Sequence, residues 1–534
     1  MLTRHSRVAV RWIAPAALAA FFLSTTALAQ HDHHHQALGK VHFPVTCSTE
    51  AQAAFDEGMK LQHSFWYQVA GDKFKEVLAR DPSCVMAHWG QALSLLTNPF
   101  SPPSPKNLAE GLAALEKAQG IGAQSPRETA YIEALLTFYR DHDKKDHRTR
   151  VLAYEQAMER LAADYPDDPE ARIYYALALN VAALPTDKTY AKSLKAAEIL
   201  EAEWERQPEH PGVAHYLVHT YDFPPLAEKG LKAANRYAEI APDAPHALHM
   251  PSHIFTRVGH WERSVASNAR SAEVARREGS VYDELHAYDY MVYAHLQMGQ
   301  VEAARRVIED VKRYASLDPN ARNAAFFAMA AMPARLMMER AAWDEGAALT
   351  PRKSSFPYTE AVTHFARAVA FARSGKPDQA AGDVEALKNG VEALRGKDAY
   401  WMEQVGIQRQ AAEAWIAFAK GDREGGLLAM REAADREAKT EKHAVTPGPL
   451  APAREQLAEM LLEMDRPAEA LKEFEAVQMT EPNRFRAIYG AGRAAELAGD
   501  TEVAKQHYAR LTSIAAKADT PRPELDAAMK YLAN

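Results

Sequence analysis

The chain has 534 residues, with 63 Lys and Arg against 71 Asp and Glu, a formal charge of −8 and a pI near 6.3. That balance supplies no basic stripe, so neither nucleic acid nor an anionic membrane surface is expected as a partner. Enrichment in Ala, Glu, Arg and Leu, with few β-branched runs, favours an all-α chain over a sheet protein.

Residues 1–29 read as a cleavable export signal. Arg4, Arg7 and Arg11 precede an apolar run from Ile13 to Leu23, and Ala27-Leu28-Ala29 forms a small-residue cleavage site. A periplasmic or secreted protein is therefore expected. Residues 30–47 form a His-rich N-terminal tail that opens Gln30-His31-Asp32-His33-His34-His35, a composition that can collect transition metal or remain a plain tail. No later apolar run reaches the roughly 18 residues a membrane span requires, and the longest, from Phe326, is interrupted by Pro333.

From residue 48 to 534 the sequence repeats. Counting from a start at residue 51, Gly58, Ala70, Phe74 and Pro82 stand at positions 8, 20, 24 and 32. Ala458, Ala470, Phe474 and Pro482 occupy the same positions near the C-terminus, followed by Gly492, Gly499, Ala504 and Tyr508. A glycine followed five residues later by a small residue recurs at Gly299/Ala304, Gly375/Ala380 and Gly421/Gly426, and more weakly at Gly259/Ser264. This pattern resembles the tetratricopeptide repeat, a 34-residue unit of helix A, turn and helix B. The resemblance implies a right-handed α-solenoid in which each hairpin buries its apolar face on the next. Breaks in the period at 98–106 (NPFSPPSPK), 184–188 (LPTDK) and 444–452 (AVTPGPLAP) are expected between repeats. The segments HSFWY (63–67), DPSCVMAHWG (81–90), HYLVHTYDFPP (215–225) and HALHMPSHIF (246–255) resemble a group of secreted bacterial repeat proteins. That likeness implies architecture and export, and attaches no activity.

In the repeat register Cys47 and Cys84 lie at the N-terminal ends of neighbouring A helices. Export favours a disulfide between them, and two isolated thiols make a weak case for a metal site. HSFWY and the region of Trp89 are expected to pack within their own repeats, with His63 alone able to face the groove.

The chemistry concentrates at about 208–300. His215 and His219 are spaced i, i+4, as are His249 and His253, and the two pairs stand one repeat period apart. The tetratricopeptide resemblance puts His215, His219 and Asp222 at positions 5, 9 and 12 of one helix A. His246, His249 and His253 fall at 2, 5 and 9 of the next, and His286, Asp289 and Tyr293 at 2, 5 and 9 of the third. Those positions line the concave groove in that family, so the helices would form a ladder of imidazoles and carboxylates suited to Cu, Zn or Fe. Asp222, His246, His286 and Asp289 are expected as further ligands or as partners that orient them. Pro251 is a local difficulty, because a helix starting there would leave His246 and His249 on a loop. His295 is assigned to the packing face. HYLVH lacks the Glu of a zinc-protease H-E-x-x-H helix, and no nucleophile elbow or phosphate loop is present. The expectation is an exported protein binding a transition metal in its groove. The alternatives are a scaffold for a protein or peptide partner and a metal-dependent enzyme activating water or oxygen.

Overall fold

Helices pair in the order of the chain. The computed structural model describes Met1, residues 37–314, Leu317 and residues 322–534, so the export signal and the His31–His35 tract lie outside the described residues. Among the described residues there are 25 α-helices, three short 3-10 helices and no strand. Thr49–His63 packs on Tyr67–Arg80, Pro211–Tyr221 on Leu231–Ile240, and Phe485–Ala498 on Thr501–Ile514, each hairpin then packing on the next. This is a right-handed α-solenoid of tetratricopeptide-like hairpins. No described helix is long and apolar enough to cross a membrane.

The small residues of the repeat are explained by what stands opposite them. A Cβ on Gly58 would lie 2.7 Å from the Phe74 ring, and one on Gly492 would lie 2.7 Å from the Tyr508 ring. Helices A and B can therefore approach only where the side chain is missing. At the turns Gly259, Gly299, Gly375 and Gly421 take positive φ, the conformation that a side chain opposes. The segments at 98–106 and 184–188 depart from expectation. Both lie inside a hairpin, the first between Val85–Leu95 and Pro105–Ile121, the second between Pro169–Ala182 and Ala191–Arg206. Only 444–452 falls between hairpins.

Cys47 precedes the N-cap Ser48 and Cys84 is itself an N-cap, and the two are joined in a disulfide with Cα atoms 5.0 Å apart. In the chain-entropy picture a closed loop of this size contributes about 3–4 kcal/mol. Thiol titration of the denatured, unreduced protein should find no reactive thiol, and two per chain would contradict the bond.

Pro251 breaks a hydrogen bond without breaking the helical path. Pro245–His249 and Pro251–Arg257 are both α-helical, and Met250 between them keeps φ −53 and ψ −37. Met250 N still donates to His246 O at 2.9 Å, Pro251 has no N–H to donate, and His253 N donates to Met250 O at 3.1 Å in a tighter turn. His246, His249 and His253 thus stay on one continuous, locally kinked helical segment.

Two further segments of the chain reach the histidine section. From the N-terminal side, the His63 carbonyl meets His215 Nδ1 at 2.7 Å. From the C-terminal side, the segment before Ala453 lies across the same section: Lys442 Nζ reaches Asp222 Oδ2 at 3.1 Å, Tyr290 Oη donates to Thr446 O at 3.2 Å, and Arg335 donates to Gly448 O at 2.9 Å. The 442–448 segment also borders a cavity of about 200 Å³, lined among others by Arg257, Tyr400, Trp401 and Glu481.

Candidate metal centre

Six histidines from three helical segments gather into two triads, His215/His219/His246, with His219 and His246 half-buried, and the buried His249/His253/His286. Within each triad the three ligand atoms lie within 4.8 Å of one another. Pro211–Tyr221 supplies the first pair, the kinked 245–257 segment supplies three residues shared between the triads, and Val281–Gln297 supplies His286.

In the first triad the Nε2 atoms of His219 and His246 each stand 3.2 Å from Nε2 of His215. His215 Nδ1 donates to a carbonyl, so its Nε2 carries the lone pair. One lone pair can accept one good hydrogen bond, and two ring nitrogens converge on it. The second triad is more sharply constrained. Asn268 donates its amide to Ser264 O at 2.8 Å, so its Oδ1 faces His249 Nδ1, 2.6 Å away, and His249 must donate there. His253 Nδ1 likewise donates to Asp222 Oδ2 at 2.9 Å. Both Nε2 atoms are then lone-pair acceptors, and they face each other at 3.0 Å. Tyr290 Oη, 3.3 Å from His253 Nε2, can supply a proton to one of them only, and it also lies within reach of two carbonyls. His286 leaves Nδ1 buried with no hydrogen-bond partner.

Protonation does not relieve this. Burial pushes His215 down to about 3 and holds His249 and His286 well below the usual imidazole range. Burial lowers His253 too, with Asp222 opposing. Around Asp222, burial acts to raise the carboxyl, but Lys442 and Arg257 outweigh it and keep the group ionised. The 3.0 and 3.2 Å separations among these ring nitrogens are close to the roughly 3.3 Å between nitrogens bound tetrahedrally to one ion at about 2.0–2.1 Å.

A third cluster gives the contrast. Glu170 accepts from His63 Nε2 at 3.0 Å and from His210 Nε2 at 2.9 Å. His63 Nδ1 accepts from Tyr216 Oη at 3.0 Å, and His210 Nδ1 accepts from the Val213 amide at 3.3 Å. Every ring nitrogen here has a partner of the right sense, so the cluster closes without an ion. Burial works to raise Glu170, and His63 and His210 together hold it well below the usual carboxylate range. Its role is support: it fixes His63, whose carbonyl fixes the tautomer of His215.

All six histidines named from the sequence meet here, and Asp222 orients His253. Asp289 does not join them. Its carboxylate is committed to the fully buried Arg335, with Nε to Oδ1 at 2.9 Å. Tyr293 bonds to Glu481 at 3.1 Å, and the half-buried His295 to Gln300 at 2.7 Å. Sequence reasoning missed Asn268, Lys442, Glu170 and His210. HSFWY also reaches beyond its own repeat: Phe65 stacks on His219 and His246 and sets its edge against His215. The notice taken of His63 as a groove residue was the one available signal.

No protein-family model matches the chain, and no curated protein matches it in sequence. Among solved structures it is similar to the human IFIT1 dimer with m7Gppp-AAAA at 12% identity, over 81% of this chain and 90% of that one, with a TM-score of 0.32. It is similar to yeast Tom70 at 11% identity, over 91% and 95%, with a TM-score of 0.34. A third is Cut9 with Hcn1 from the APC/C, at 11% identity over 91% and 96%, with a TM-score of 0.27.

Proposed function

We propose that this protein binds a transition metal, Cu, Zn or Fe by the chemistry of its donors, through the histidine triads inside its solenoid. The observation that carries the reading is the facing pair of Nε2 lone pairs on His249 and His253, 3.0 Å apart with both Nδ1 atoms already donating. Facing acceptors in a buried site repel, and a cation between them turns the repulsion into coordination. Imidazole donors suit these metals, while the absence of a carboxylate among the six argues against Mg or Ca. The Cys47–Cys84 disulfide supports an oxidising compartment, in keeping with the export signal read from residues 1–29. A scaffold for other proteins is the second reading. It is favoured by the repeat architecture.

Elemental analysis of untagged protein, stripped and reloaded with copper(II) or zinc, tests the reading. Replacing His249 and His253 together by Ala should remove bound ion, replacing His295 should not, and deleting residues 31–35 should leave the buried ion in place. Binding that vanishes with the tail and survives the paired substitution would transfer the metal to the terminus and leave the scaffold reading.

A further inference from the structure

Resting on that metal-binding reading, the arrangement of the rings carries one step more. We propose that the triads hold two transition-metal ions side by side as one centre, and that this centre takes a small anion, hydroxide in the resting protein, between the ions.

A single ion held by all six imidazoles is excluded by the spacing. An octahedral set with metal–nitrogen bonds of about 2.1 Å would place opposite nitrogens roughly 4.2 Å apart, bringing all six ligand atoms within 4.8 Å of one another. Only the separate triads meet that limit. Each triad gives three nitrogens, the number that leaves a four-coordinate ion one open position.

The triads also share one compartment. Across the boundary, the rings of His219 and His253 are 6.0 Å apart, as are those of His246 and His249. Within the triads, the wide sides measure 6.5 Å between His219 and His246 and 6.3 Å between His253 and His286. The gap between triads is therefore no wider than the triads themselves. Their outer sides are closed: Phe65 and Phe100 pack on the first, with Phe100 and His219 ring centroids 4.6 Å apart, and Tyr290 covers the second at 4.8 Å from His249. The open positions are left facing the boundary.

Charge supplies the ligand class. The six donors are neutral imidazoles. The nearest carboxylate, Asp222, has its oxygens taken by His253, Arg257 and Lys442. Two divalent ions would stay uncompensated in a buried site, and a small anion from solvent offsets that charge while filling both open positions. A carboxylate-rich centre would not need one.

Copper(II) is the probe, titrated into the full mature chain, with bound metal counted after gel filtration, the EPR spin count taken on the same samples, and azide as the test anion. Two equivalents per chain, fewer than two spins, and an azide charge-transfer band that disappears in His215→Ala/His219→Ala and in His249→Ala/His253→Ala support the proposal. Each of those variants should keep one ion with a full one-spin signal. One equivalent in the unmodified chain overturns the dinuclear centre and leaves metal binding standing; none overturns both. Two equivalents with two full spins and azide bands that persist in each variant show independent sites, which overturns the shared anion. Should the Ala pairs fail to fold, the half-buried His219→Gln alone is expected to give one equivalent, and two retained equivalents with the azide band intact would count against the centre.

Discussion

Stripped of metal, the protein should lose stability steeply between pH 7 and pH 5. His215, His249 and His286 are buried as neutral rings, with burial holding each far below the usual imidazole value and His215 down to about 3. In the unfolded chain the same rings titrate near pH 6.5. Below that pH the unfolded state binds more protons than the folded state, so stability falls as pH falls, and the loss continues toward the folded values. At pH 5 the His215 ring contributes about 2 kcal/mol of destabilisation, and His249 and His286 act in the same direction. Even one such ring is a sizeable share of the stability of an ordinary domain. Urea titrations of chelator-treated protein at pH 7.0, 6.0 and 5.0 measure it. A midpoint unchanged across that range would mean the rings are hydrated or charged in the folded state, and the lone-pair argument would fall with them. Reloading with zinc at pH 6 should raise the midpoint, because an ion that binds only the folded state stabilises it by mass action.

The fold was legible because repetition carries its own register. Gly58 and Phe74 at one end, and Gly492 and Tyr508 at the other, name the same close approach of two helices, and a pattern that recurs over 400 residues is not produced by local propensity. The insertions at 98–106 and 184–188 were placed outside the hairpins for the same reason that the rest succeeded: a period locates the next repeat but does not say which of its two turns has grown. From sequence Pro251 leaves open whether His246 and His249 stay helical, because proline removes a hydrogen bond; in the structure the path through Met250 stays helical. One missing bond is a kink when both flanking turns are held by packing.

The six ring nitrogens were visible as a ladder since i, i+4 spacing and the repeat period together fix direction in a solenoid. What completes the site was not visible. Asn268 lies on the helix B that follows, Lys442 stands 220 positions from Asp222, and His63 stands 152 from His215. No local pattern links such residues, because they meet only when the array closes over its own concave face. Asp289 shows the opposite error. Its repeat position matches His215 and His249, but Arg335 from Asn323–Glu339 claims it, and position in a repeat says nothing about which neighbour arrives first.

Replacing Glu170 by Ala is expected to cost about 3–5 kcal/mol of stability and, separately, to weaken metal binding at the first triad. Glu170 is 1% exposed and accepts from two buried imidazoles, so its removal leaves His63 Nε2 and His210 Nε2 as buried donors with no acceptor. The second effect travels along the chain of contacts. Without Glu170 the His63 ring is no longer pinned, and the His63 carbonyl that accepts from His215 Nδ1 loses its fixed place. His215 can then adopt the other tautomer, with the proton on Nε2 where the ion should bind. Loss of such an outer partner lowers metal affinity by about 10–100-fold. Glu170→Gln separates the two effects, since an amide keeps one acceptor for His63 or His210 while giving up the charge, and it should retain more stability and more affinity than the Ala variant. Zinc affinity by competition with a chromophoric chelator, measured beside urea stability, is the readout. A destabilised Ala variant whose folded fraction binds zinc as tightly as the unmodified chain would show that Glu170 is only a brace, with no hold on His215.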